Sequence, residues 1–161
     1  YAPNLHEVVK HEILPNSDLA QWFDEHIDAS PDRLRFAIES IASYGMAVGK
    51  NVFETAEWSG IIALLAQKFT RADEQIRRVY RRDAKLFLCH SMRAKDANIR
   101  QALIDQFPAI GGGKIGQIGT VKEPGPLHGF AKDKWAALAV AITAKSQWET
   151  LELFPLPKRI R

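Results

Sequence analysis

The chain is 161 residues long, 46% hydrophobic and 25% charged, with a formal net charge of +3; that length carries one hydrophobic core rather than two, and that composition is ordinary for a soluble protein, so the total charge decides little. A single cysteine, Cys89, excludes an internal disulfide and a cysteine-based zinc site, and it suits a reducing cytoplasm. The longest apolar run, residues 135–144, is about half of the ~20 residues that a membrane-spanning helix needs, so it reads as a buried helix.

Tyr1-Ala-Pro-Asn carries neither a targeting pattern nor an initiating methionine, and the expectation is that something upstream is missing. Residues 6–14 alternate loosely and end at Pro15-Asn-Ser, the composition of a strand followed by a turn. Ser17 or Asp18 can cap a short helix through His26, with Leu19, Trp22 and Phe23 on one apolar face. Residues 33–39, Arg-Leu-Arg-Phe-Ala-Ile-Glu, read as a strand whose last residue, Glu39, is a lone carboxylate delivered into the following loop. In open α/β sheets ligands bind at the carboxyl ends of strands, so Glu39 is the first candidate for a site.

A helix is expected over 51–69, with Val52, Ala56, Ser59, Ile62, Ala63 and Ala66 along one face and Gly60 marking a close approach to a neighbour. Glu54 and Glu57 in its first turns read as a solvated face favoured by the macrodipole. Residues 77–82, Arg-Arg-Val-Tyr-Arg-Arg, are a strand candidate, followed over 83–88 by a helical turn that contains Lys85. Arginines flanking a strand commonly do no more than keep an edge from aggregating. Together with Arg93 and Lys95, however, they make one basic band, the footprint expected for a phosphate backbone.

A second long helix is expected over 94–107, stopped by Pro108, with Ile99, Ala102, Leu103 and Phe107 inward. Residues 108–129 lack periodicity and are rich in glycine and proline, a long loop of the kind that tends to be functional or mobile. Gly111, Gly113 and Gly116 match a dinucleotide-binding spacing, but they follow a helix and precede none. Gly113-Lys114 is followed by Ile115, where a phosphate-binding loop needs Ser or Thr, so neither motif stands. Residues 133–143 are apolar almost all round, a helix set into the body of the domain. Asp133 stands at its start, where the ordinary role is a cap. Residues 154–161 form a basic tail.

With Glu39, Asp133 and the basic segments laid out, the chain resembles the RuvC family of Holliday junction resolvases, within the ribonuclease H-like superfamily. Phe36-Ala-Ile-Glu39 is similar to the family's strand ending in a catalytic glutamate. Tyr80 to Lys85, then Arg93-Ala-Lys-Asp-Ala-Asn-Ile99, resemble the strand, lysine-bearing turn and helix start that face DNA. Asp133-Lys-Trp-Ala-Ala-Leu-Ala-Val-Ala-Ile-Thr143 resembles the family's Asp-x-x-Asp-Ala-Leu-Ala-Ile-Ala-Ile-Thr helix. Tyr44-Gly-Met-Ala-Val-Gly49, Val52-Phe-Glu-Thr55 and Pro124-Gly-Pro-Leu127 resemble phage- and plasmid-type relatives.

The resemblance implies an α/β fold, a ribonuclease H-like mixed sheet flanked by helices, as one domain over 1–153. It implies a magnesium- or manganese-dependent endonuclease that cuts four-way or branched DNA in recombination and repair, as a homodimer, in the cytoplasm of a bacterial or phage-infected cell. Glu39 and Asp133 would be the metal ligands, since hard oxygen donors suit these ions. Lys85 would stand near the scissile phosphate as a catalytic cation. Arg81, Arg82, Arg93 and Lys95 would grip the backbone with Lys85, and Tyr44 would stack on an unpaired base.

The sequence departs from the family in two places. The family opens on an apolar strand ending Asp-Pro-Gly, whose aspartate is the central ligand, and nothing before Tyr1 supplies it; the expectation is that the first strand is absent and this chain itself inactive. Ala136 stands where the family's closing helix has its second aspartate. Both departures favour an alternative, a non-catalytic DNA-binding or assembly protein on the same fold. A small-molecule α/β enzyme would leave the basic band unexplained.

Overall fold

The structure, a computed structural model, describes residues 7–27, 34–42, 45 and 48–153. Among them the elements run α1 (Leu19–His26), β1 (Phe36–Ser40), α2 (Lys50–Gln67), β2 (Ile76–Tyr80), α3 (Arg81–Cys89), α4 (Asp96–Ile104) and α5 (Lys134–Leu153). The two strands are parallel, and the crossover between them is α2, a βαβ unit. The α/β expectation therefore holds. A ribonuclease H-like topology is not visible among the described residues, whose sheet consists of β1 and β2 alone.

Side chains of paired residues in parallel strands share a face, and here that register separates two environments. Ala37 and Glu39 pair with Arg77 and Val79, while Ile38 and Ser40 pair with Arg78 and Tyr80. On the first face Val79 is fully buried, with Ala37 packed beside it, in a core built with α3, α4, α5 and Leu127. On the second face α2 is tied down by Ser59, whose hydroxyl accepts from Arg78 Nη1 at 3.2 Å and donates to the Glu39 carbonyl at 3.5 Å. Glu39 thus points to the α5 side, at the strand end where the core stops.

Apolar burial concentrates in α4 and α5. Leu103, Leu127 and Ala144 have 0% exposure, and each buried leucine contributes about 2 kcal/mol of transfer free energy. Trp148 donates through Nε1 to the Glu74 carbonyl at 2.8 Å, fixing the second half of α5 to the approach to β2.

Several expectations are corrected. Residues 7–15 form no strand; alternation needs a partner strand to become a ladder, and Val9 stands 90% exposed instead. Arg81 and Arg82 belong to α3, not to a strand, because extended Tyr80 (φ −82°, ψ 148°) is its N-cap and Ala84 turns inward. The helix expected over 94–107 ends at Ile104, although Phe107 still reaches the core. The closing helix runs on to Leu153, carried by Ala144 and Trp148 one turn apart on the buried face. Gly60 marks no close approach: a Cβ there would meet nothing within 4 Å.

The loop over 108–129 is knitted by its own backbone. Gly111 N donates to the Gly116 carbonyl at 2.8 Å, Gly125 N to that of Ile118 at 3.0 Å and Leu127 N to that of Gln117 at 2.8 Å. Gly119 has φ +73°, and at Gly125 a Cβ would collide with the carbonyl oxygens of Gly116 and Gln117. The glycines are there for close backbone approach, and fully buried Leu127 anchors the knot to the core.

Candidate functional site

A cleft of about 630 Å³ opens at the carboxyl end of β1. Its walls come from Glu39 of β1, Arg81 and Ala84 of α3, Asp96, Ala97, Ile99 and Arg100 of α4, the turn 130–133, and Trp135, Ala136, Ala139 and Val140 of α5. Helices α3, α4 and α5 all begin at this cleft. Helix starts carry free N–H groups and the positive end of the macrodipole, so the setting favours anions, whether side chains or ligands.

The three carboxylates on the wall, Glu39, Asp96 and Asp133, differ in what they already hold. Asp96 accepts a charge-assisted hydrogen bond from Arg81 Nη2 at 2.6 Å, an exposed pair in which each neutralises the other. Asp133 is in the N-cap position of α5, since its carbonyl accepts the first helical bond from Ala137 N at 3.0 Å. Its side chain, however, makes no hydrogen bond or ion pair with any described residue, and the same is true of Glu39. The cap expected of Asp133 is therefore not made by its carboxylate.

The cations divide in the same way. Arg81 is spent on Asp96, whereas Arg100 lies over the Trp135 ring, 5.0 Å from its centroid, with no carboxylate partner among the described residues. Trp135 in turn packs against Phe130, centroids 5.3 Å apart. Lys132 also has no ion pair among the described residues. Its φ is +50°, a left-handed conformation costing a lysine roughly 1 kcal/mol, in the turn that leads into α5.

Of the residues singled out in the sequence, the fold brings Glu39, Asp133 and Arg81 to this cleft, along with Ala136. Lys85 is half-buried on α3 and does not line it. Arg82 is exposed, paired with Asp83 at 3.2 Å and set over the Tyr80 ring. Arg93 and Lys95 are exposed just before α4, outside the lining; the Lys95 backbone N–H donates to Asn98 Oδ1 at 3.0 Å. Tyr44 lies outside the described residues. Asp96, Arg100, Lys132 and Trp135 had no reading as site residues in the sequence. The only signal available for them was helical spacing, which sets 96 and 100 on one face of α4.

Glu39 and Asp133 are hard oxygen donors, the right kind for magnesium or manganese. Among the described residues no group of three or more His, Cys, Asp or Glu side chains stands close enough to hold a metal ion; magnesium is commonly held by one or two carboxylates, with water and phosphate oxygens as its other ligands. Also among the described residues, no helix is long and apolar enough to cross a membrane. Comparison with protein-family models, with curated proteins and with solved structures gives no significant match.

Proposed function

We propose that this protein is a metal-dependent, structure-selective DNA endonuclease of ribonuclease H-like fold, acting on four-way or other branched DNA. One observation carries the reading. Two carboxylates far apart in the sequence, Glu39 and Asp133, reach the same cleft at a strand end, neither of them paired with a described residue. Phosphodiester hydrolysis needs carboxylates to organise the hydrolytic centre, and Glu39 and Asp133 are placed on this wall for that role.

Glu39 and Asp133 would hold magnesium or manganese, which when bound supplies a Lewis acid and an activated water. Arg82, Arg93 and Lys95, exposed beyond the cleft, suit sequence-independent contacts to the DNA backbone, and half-buried Lys85 would contact it from α3. A substrate with two symmetric strands to cut favours a two-fold dimer as the working unit. Ala136 on the cleft wall and the shortage of a third free acid favour a second reading, a DNA-binding or assembly protein without nuclease activity.

The experiment is a cleavage and binding assay of the full-length protein with magnesium on a synthetic four-way junction, a flap and a linear duplex. Cutting of the junction in preference to linear duplex is expected. Junction binding without cutting in magnesium or manganese would favour the second reading, and failure to bind branched DNA would remove both.

A further inference from the structure

We propose that Arg100, held over Trp135, and Lys132 bind the phosphodiester that enters this cleft; the inference rests on the nuclease reading and adds residues that reading does not use. Phosphate recognition requires cations that are not already neutralised. Of the three cations on the wall, Arg81 already faces Asp96, whereas Arg100 and Lys132 have no carboxylate partner among the described residues. They approach from different elements: Arg100 from the second turn of α4, Lys132 from the turn preceding α5. A strand entering the cleft would therefore meet cations from two different elements on the same wall as Glu39 and Asp133, whose carboxylates pair with no described residue.

Trp135 is a positioning residue for Arg100. A guanidinium lying over an indole keeps its N–H edge free to donate, is attracted by the ring, and loses less rotational freedom when a phosphate arrives. Phe130 packs against the same indole, its ring tilted 59° to it. An arginine so held presents a planar fork to two phosphate oxygens, which a lysine at the same position cannot reproduce. Lys132 supplies a point charge from a backbone conformation that glycine adopts without strain, so its side chain is separable from its turn by Lys132→Gly.

The test is binding of a fluorescent four-way junction, by anisotropy in EDTA and over a series of salt concentrations, with thermal unfolding of every variant as a check on folding. Arg100→Gln and Lys132→Gly are each expected to weaken binding about three- to tenfold and to make the salt slope shallower by about 0.9, the value for one lost phosphate contact. Arg100→Lys is expected to keep the slope while losing part of the affinity. Lys68→Gln, at the C-terminal end of α2 and away from the cleft, changes neither.

Trp135→Leu is expected to cost about as much as Arg100→Gln, with no further loss when the two are combined, while Trp135→Phe keeps parental affinity. If the parent protein binds the junction and Arg100→Gln and Lys132→Gly bind equally well with unchanged slopes, the inference is wrong and the nuclease reading stands. Additive losses for Trp135→Leu and Arg100→Gln overturn the positioning role. A parent that binds no branched DNA overturns both the reading and the inference.

Discussion

The two faces of the small sheet are built to different standards. Toward α5, Val79, Leu103, Leu127 and Ala144 are fully buried, and the loop over 108–129 closes the core with a lattice of backbone hydrogen bonds. Toward α2, only Ser59 and Ala66 of an 18-residue helix are buried, while Phe53 and Leu64 are 66% and 64% exposed. The cleft belongs to the first face. The carboxylates and cations of the cleft are set against the rigid side of the fold, while the α2 side joins the sheet through fewer buried side chains, Ile38 and Ala66 among them, and the hydroxyl bridge of Ser59.

That contrast gives graded expectations for stability, each read by chemical or thermal unfolding. Leu103→Ala opens a cavity in the tightest part of the core and is expected to cost about 3 kcal/mol. Gly125→Ala drives a methyl group into two backbone carbonyls and is expected to cost about 2 kcal/mol, which would show that the loop is part of the rigid face. Ser59→Ala removes the bridge between Arg78 and the Glu39 carbonyl, at about 1 kcal/mol. Leu64→Ala, on the exposed side of α2, should change stability by less than about 0.5 kcal/mol. Equal costs for Leu103→Ala and Leu64→Ala would remove the distinction between the faces.

Much of the element order was legible from pattern because the elements are internally consistent. The core helix at the end of the chain announced itself by apolar residues all round, and β1 by Phe-Ala-Ile running into Glu39. Its further extent to Leu153 was also written in the sequence, in the one-turn spacing of Ala144 and Trp148. Residues 7–15 misled because period-two alternation states a preference that only a neighbouring strand can realise. Arg81 and Arg82 misled because a run of arginines around Val79 and Tyr80 has no period of its own, and the helix start is decided by the backbone at Tyr80.

The site was half legible. A lone acid at a strand end and an acid at a helix start both point to a cleft by position, and the fold brings both there. Which cations would face them could not be read: Arg81 and Asp96 neutralise one another across two helices, and Arg100 meets Trp135 only after α4 and α5 pack. Partnerships of that kind depend on tertiary proximity and leave no spacing in the chain.

The central claim is that Glu39 and Asp133 are working carboxylates, not surface decoration. The most direct measurement compares magnesium-dependent cleavage and junction binding by the full-length protein with those of Glu39→Gln, an isosteric change at an exposed position that should leave unfolding unaltered. Loss of cleavage by at least about two orders of magnitude, with junction affinity retained, is the predicted result. A Glu39→Gln protein that cuts the junction at the parental rate would contradict it.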